Sequence, residues 1–228
     1  MNNIKGISLM ILLLMPLCSF SQYKEDVNSS TSYRRIITVA AGVTALSFLA
    51  DNPVNNFNDK KRTPFLDNLT DVTQLPGDKY IAAPALLLCY TSARFTNNKT
   101  LQQTSLKSAQ AFITASIATG AIKYSAGRAR PSSTYSSNYF SPFKSGDEYR
   151  SLPSGHAATA FSILTPFAET YSKWLYTIPA ATALSRCYKN EHWLSDVVTG
   201  SAIGFLSGYL LTHNKNIELI PSGLRLYF

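Results

Sequence analysis

Apolar and small residues gather along the chain into six stretches, at roughly 33–50, 79–95, 104–126, 155–171, 173–186 and 192–212. Each is longer than a strand, so the pattern predicts six helices. Breakers separate them. Asp51-Asn52-Pro53 is expected to end the first, and a polar run with Asn55-Asn56 and Lys60-Lys61-Arg62 follows it. Pro131 is expected to close the third, because the residue before a proline is pushed out of the α region. From Ser132 to Leu152 the chain is polar and aromatic, with Tyr135, Tyr139, Phe140, Phe143 and Tyr149. Both a lid over a substrate and a tightly packed surface loop fit that composition. Ile217 to Phe228 alternates loosely around Pro221-Ser222-Gly223, which suggests a small hairpin. The expected fold is all-α: a six-helix bundle with a short C-terminal hairpin.

The chain has 228 residues, enough for one domain with a real core. Residues 1–21 read as a signal peptide, with Lys5, the apolar run Ile7 to Leu14 and the small residues of Ser19-Phe20-Ser21. Cleavage before Gln22 would leave 22–228 as a single exported domain, periplasmic or membrane-associated. Cys18 is a weak lipoprotein acceptor, because Met15-Pro16-Leu17 lacks the small residue expected before an acylated cysteine. Cys89 and Cys187 then remain, too few for a disulfide-stapled scaffold. The purest apolar run, Ile36 to Ala50, is short for a span, and Ser, Thr, Lys, Pro or Asp interrupt the others. Lys and Arg recur in successive connections without alternation, so the positive-inside rule sets no orientation. The reading is a soluble or peripherally bound bundle able to contact a membrane surface.

The formal charge is +8. Removing residues 1–21 takes away one Lys and no acid, which leaves +7. That excess suits an anionic partner such as phosphate or a lipid headgroup. Nucleic acid is disfavoured, because the basic residues are scattered along an exported chain.

Three short stretches carry the candidate chemistry: "KYSAGRARP" at 123–131, "PSGH" at 153–156 and "SRCYKNEHWLSD" at 185–196. Taken singly, each has an ordinary explanation. Cations complement a helix C-terminus, a serine caps a helix N-terminus, and a His and an Asp four apart share a helical face. Taken together they describe a site for a phosphoryl group. Lys123, Arg130 and Arg186 supply three cations, and the planar fork of arginine suits phosphate oxygens. Ser154 and Gly155 add a hydroxyl and backbone amides at a helix start, where an anion is favoured. His156 would stand beside the bound group as proton donor. Asp196 would accept the Nδ1 proton of His192, leaving Nε2 to attack phosphorus. With the cations neutralising the charge, the scheme needs no metal and no cofactor. Neither histidine has the closely spaced partners of a zinc site.

In this order the stretches resemble the signature of the type 2 phosphatidic acid phosphatase and vanadium haloperoxidase superfamily: Lys, six residues, Arg-Pro; then Pro-Ser-Gly-His; then Ser-Arg, five residues, His, three residues, Asp. Lys123, Arg130, Pro131, Pro153, Ser154, Gly155, His156, Ser185, Arg186, His192 and Asp196 fill every specified position. The resemblance spans 123–196 and implies a helical bundle with phosphate held by the matched Lys, Arg, Ser and Gly. It implies His156 as acid–base, His192 as nucleophile and Asp196 as its orienting partner. The expected activity is a phosphatase acting on a phosphomonoester or pyrophosphate, of a lipid such as phosphatidate, phosphatidylglycerol phosphate or a polyprenyl diphosphate. Three alternatives stay open: a soluble non-specific acid phosphatase on small organic phosphates, a vanadium-dependent haloperoxidase, and a non-catalytic phosphate-binding protein. The family's haloperoxidases are generally much larger. Oligomeric state is not legible.

Overall fold

A computed structural model describes residues 30–60, 62–213, 217–220 and 223–226. The expected signal peptide lies outside the described residues. Within them, eight α-helices follow one another: α1 Ser30–Ser47, α2 Asp51–Asp59, α3 Pro64–Thr73, α4 Lys79–Phe95, α5 Lys99–Ala126, α6 Gly155–Thr170, α7 Thr177–Tyr188 and α8 Leu194–His213. The six long elements match the hydrophobic pattern. The two short ones occupy a connection that reads as polar.

Asp51-Asn52-Pro53 does not end the first helical run. A 3-10 turn at Phe48–Ala50 intervenes and the chain turns helical again from Asp51. Pro53 falls in the first turn of α2, where its missing N–H has no intrahelical partner to lose. Thr63 then caps α3, accepting from Leu66 N–H, with Pro64 at the first helical position. Asp78 caps α4 and Asn98 caps α5 in the same way. Pro131 does not end α5 either. Gly127 does, in the left-handed conformation with φ of 59°. A Cβ built on Gly127 would lie 1.8 Å from the Ser141 carbonyl oxygen, so only glycine fits. The stop at Gly127 turns Arg128 inward.

The centre is the pair α6 and α8. Residues Ala157 to Ile163 of α6 are buried without interruption, and α8 buries Val197, Val198 and Phe205 against them. Gly200, Gly204 and Gly208 form a ridge at four-residue spacing on α8. Added Cβ atoms there would stand 2.3 Å from Ser154 O, 2.4 Å from Ala158 O and 2.7 Å from Thr165 Cβ. The two helices therefore meet backbone to backbone, at the end of α6 that carries Ser154.

Two helical stretches, Arg34–Asp59 and Leu194–His213, are long and apolar enough to cross a membrane by length and composition. This corrects the reading that every stretch is too short or too interrupted. In Leu194–His213, 67% of the window is buried inside the bundle, against 22% for Arg34–Asp59. At the C-terminus Ile217–Ile220 (β1) and Gly223–Leu226 (β2) pair antiparallel, Ile217 opposite Leu226.

The connection from α5 to α6 is tied to the bundle. Ala129 N–H donates to Tyr139 O and Ser141 N–H to Gly127 O. Tyr124 and Phe143 meet edge to face, and Tyr135 stacks on Tyr139 at 4.1 Å. Of its two readings, the packed loop describes this geometry.

Candidate active site

The first cation comes from the last turn of α5. Lys123 Nζ donates to Arg150 O at 2.5 Å. Burial lowers the ammonium to a pKa of about 8, which the negative charge of Asp196 partly opposes. Arg130 follows Gly127 by three residues. Its Nε donates to Asp147 O at 2.9 Å and its Nη2 pairs with Asp147 Oδ1 at 2.9 Å. The third cation is in the last turn of α7, where Arg186 Nη1 donates to Gln74 Oε1 at 2.6 Å.

Arg130 and Arg186, from motifs 56 residues apart, converge on one atom. Arg130 Nη1 pairs with Glu191 Oε2, and Arg186 Nη2 lies 3.6 Å from the same oxygen. An anionic oxygen thus already sits between the two guanidinium groups.

The Pro-Ser-Gly-His turn opens α6. Ser154 is fully buried, and its hydroxyl oxygen accepts from Ala157 N–H at 3.5 Å as helix cap. Its backbone N–H is committed to Asp196 O at 2.8 Å. The Ser154 amide is therefore spent within the fold, while its hydroxyl, which only accepts here, keeps its O–H as a donor. The first-turn amides of Gly155 and His156 are the ones with no intrahelical acceptor. A Cβ on Gly155 would meet nothing nearer than Lys123 Cε at 3.8 Å, so its absence opens the side of the turn that Lys123 overlooks.

His156 receives the turn before α4. A Cβ on Gly77 would fall 2.6 Å from His156 O, which brings the start of α4 against the site. Burial lowers the His156 imidazole to a pKa of about 4, and Arg186, Lys123 and Arg130 push it the same way while Asp78 opposes. All three motif cations therefore bear on this ring.

His192 is buried, and desolvation lowers its pKa to about 3. The ring is therefore neutral at neutral pH. Its relation to Asp196 differs from the expected helical pair. α8 begins at Leu194, so His192 precedes the helix and the two residues share no helical face. His192 Nδ1 lies 3.9 Å from Asp196 Oδ2, beyond hydrogen-bond reach, and has no other partner. The carboxylate is held elsewhere. Oδ2 accepts from Ser151 Oγ at 2.5 Å and from Trp193 N–H at 2.9 Å, closing the N-terminus of α8. Oδ1 accepts from Arg128 Nη1 at 2.6 Å. Burial works to raise the Asp196 carboxyl, but His192, Arg128 and Ser151 outweigh it and hold it below its ordinary value.

Arg128 escaped the sequence reading. It lies between Lys123 and Arg130, the two cations of that motif expected to face phosphate, and had no role assigned; it is fully buried and faces Asp196. Glu191, Gln74 and Ser151 were missed too, because nothing in their spacing marks them. Among the described residues no group of three or more His, Cys, Asp or Glu side chains is arranged to hold a metal ion.

The model of the PAP2 superfamily matches residues 105–218, half of the chain, and that segment contains every motif residue placed above. The chain belongs to the PAP2 superfamily. A curated relative, the lipid A 1-phosphatase of Porphyromonas gingivalis, is 41% identical over 95 residues, which cover 39% of this chain and 18% of that protein. The aligned region is thus under a fifth of the relative's length. Among solved structures the fold is similar to that of Aquifex aeolicus LpxE, with a TM-score of 0.57 and 21% identity over 71% of this chain and 93% of that one. It is also similar to a transmembrane PAP2 type phosphatidylglycerolphosphate phosphatase from Bacillus subtilis, with a TM-score of 0.52 and 20% identity over 91% and 94%. At these identities the structural likeness speaks for the fold.

Proposed function

We propose that this PAP2 chain is a phosphatase that hydrolyses a phosphomonoester or pyrophosphate of a lipid through a phosphohistidine intermediate. The observation that carries the reading is the convergence of Arg130 and Arg186 on a single carboxylate oxygen. Two rigid forks aimed at one anionic atom are built for an oxyanion. Lys123 and the amides of Gly155 and His156 complete the cradle, and substrate phosphate replaces the carboxylate of Glu191.

With phosphate bound, His192 Nε2 attacks phosphorus and the bond to the leaving oxygen breaks. His156 delivers its proton to that oxygen. Burial first and the cations second depress His156; the incoming dianion works against both by favouring the charged imidazolium, so the acid form is recruited together with substrate. His192 becomes cationic as the N–P bond forms, and Asp196 stabilises that charge from 3.9 Å. Water then attacks the phosphohistidine, His156 takes its proton, the N–P bond breaks and phosphate departs. Lys123, Arg130 and Arg186 supply the neutralisation that Mg²⁺ supplies in many phosphoryl transfers.

The surface beside the site favours a lipid over a small soluble phosphate. α4 begins against His156 and α5 carries Lys123 in its last turn, so both helices lead away from the cradle. α4 exposes Ile81, Leu87, Leu88 and Phe95, and α5 exposes Ile113, Ile117 and Tyr124. No charged residue lies between Lys79 and Arg94 or between Lys107 and Lys123. At ~1.5 Å per residue, Tyr80 to Ala93 is about 20 Å of uncharged helix. Apolar surface of that extent on an otherwise wet protein marks a membrane or ligand contact. In our reading it faces acyl chains, which makes the exported protein membrane-associated. The names of the relatives, a lipid A 1-phosphatase and a phosphatidylglycerolphosphate phosphatase, agree with this substrate class.

The test is phosphate release in chelator from a panel of lipid phosphates, lipid diphosphates and an aryl phosphate, on protein recovered from carbonate-washed membranes. We expect turnover of a lipid substrate, abolished in His192→Ala. Near-normal kcat in that variant rules out the covalent route. Turnover confined to the soluble aryl phosphate would favour the acid phosphatase alternative, and halide oxidation on adding vanadate and peroxide would favour the haloperoxidase.

A further inference from the structure

We infer that Asp51, in the first turn of α2, is a positioning residue for catalysis: it acts through Arg128 to fix the carboxylate of Asp196 beside His192. The inference rests on the phosphatase reading above. Asp51 lies 54 residues before the segment that matches the family model, and no motif includes it.

The link is a saturated buried network. Arg128 Nη2 donates to Asp51 Oδ2 at 2.7 Å, while Nη1 donates to Asp196 Oδ1 and to Ser195 Oγ, both at 2.6 Å. The remaining guanidinium contacts, from Nε and Nη2, go to Ser137 O at 2.9 and 2.7 Å. All five N–H donors are thus used. Asp51 also grips the start of α8 directly. Its Oδ1 accepts from Ser195 N–H at 2.8 Å and its Oδ2 from Ser195 Oγ at 2.7 Å. The guanidinium lies over the rings of Phe48, Phe140 and Trp193, which block escape to other rotamers. Asp51, Arg128 and Asp196 are each at most 1% exposed. Asp51, Val54 and Asn58 of α2 line one pocket with His192, so α2 forms the wall behind the nucleophile.

Such an arrangement does more than hold helices together. Ser137 O and Ser195 Oγ also hold the guanidinium, but Asp51 is the carboxylate that balances Asp196 from the opposite side and so sets the line from Nη1 to Asp196 Oδ1. Removing that anchor leaves a buried cation with one carboxylate instead of two, free to chelate Asp196 with both nitrogens. The carboxylate would then turn away from His192, while the cradle of Lys123, Arg130 and Arg186 stays untouched.

The experiment measures kcat and KM on an aryl phosphate for the full chain, Asp51→Asn, Asp196→Asn and the double variant, with inorganic phosphate as competitive inhibitor. We expect Asp51→Asn to lower kcat about tenfold or more while KM and the inhibition constant of phosphate change less than twofold. In the Asp196→Asn background the same substitution should cost less than twofold, because the group it positions is already neutral. Equal losses in both backgrounds, or an unchanged kcat in a folded Asp51→Asn protein, overturn the inference. Should Asp51→Asn fail to fold, Ser195→Ala removes the hydroxyl bridge between Asp51 and Arg128 and must give a smaller kcat loss that vanishes in the Asp196→Asn background; a loss that persists there overturns it as well. Absence of phosphate release from the unsubstituted chain would instead sink the phosphatase reading itself.

Discussion

Glu191 offers the most direct test of the proposed anion cradle, because it is both a neighbour of His192 in sequence and an ion-pair partner of Arg130 and Arg186 in space. Under the proposed function, substrate phosphate has to take the two arginines from it. Its side chain is 40% exposed, so water and salt screen both ion pairs, and each is worth only ~0.5 kcal/mol, within the range for surface pairs. Two pairs give about 1 kcal/mol of competition, which converts to about a fivefold difference in an equilibrium constant. Glu191→Gln keeps the size and removes the charge. Inorganic phosphate should therefore inhibit this variant with a constant about fivefold lower than for the unsubstituted protein. The gain should shrink as salt rises from 0.1 M to 1 M, where the screening length falls from roughly 10 Å to 3 Å. The assay is competitive inhibition of aryl phosphate hydrolysis by phosphate at both ionic strengths. An inhibition constant that is unchanged or higher at low salt would refute the displacement argument and make Glu191 a strut that organises the guanidinium groups.

Three further outcomes are expected. His156→Ala should slow alkyl phosphates far more than aryl phosphates, since only a poor leaving group needs its proton; equal losses on both would remove His156 from the acid role. His192 has a folded-state pKa of about 3 against an ordinary 6.5, so below pH 6.5 the unfolded chain binds a proton that the folded chain does not. Stability must then fall as pH drops from 6.5 towards 3, and the melting temperature of His192→Gln should fall less steeply over that window; parallel curves would contradict the buried neutral ring. Gly200→Ala drives a methyl to 2.3 Å from Ser154 O, which should destabilise by ~1–3 kcal/mol as overpacking. A melting temperature equal to that of the unsubstituted chain would show that α8 and α6 are further apart than described.

The long elements and the candidate cations were legible because each rests on a local rule. Lys123 and Arg186 sit in last helical turns, Arg130 follows just past one, and Pro-Ser-Gly-His opens a helix, so spacing alone brings them into view. What stayed hidden depends on direction. Nothing in "KYSAGRARP" says that Arg128 points inward to Asp196 while Arg130 turns to Asp147 and Glu191; the turn at Gly127 decides it. Asp51 was taken as part of a breaker, although an aspartate two residues before a proline is also a helix start. His192 and Asp196 were paired as a helical i, i+4 couple. They do come close, but through a carboxylate folded back over the first turn of α8, and so at 3.9 Å instead of hydrogen-bond distance. The ridge of Gly200, Gly204 and Gly208 was readable as a four-residue repeat of the smallest residue, the one sequence signal of backbone contact between helices that the pattern of apolar positions does not register.

That ridge couples turnover to heat tolerance. The Ser154 carbonyl lies where a methyl at position 200 would go, and the Ser154 amide is bonded to Asp196 O. The two backbones cannot part without carrying the cradle and the carboxylate behind the nucleophile with them. Libraries screened for thermal resistance should accordingly retain glycine along this seam and gather their gains on α3 and the outer surface of α7. Selections for new substrates are better aimed at the exposed aromatic side chains Tyr135, Phe140 and Phe143 of the connection between α5 and α6, leaving Ser137, Ser151 and Ser154 in place.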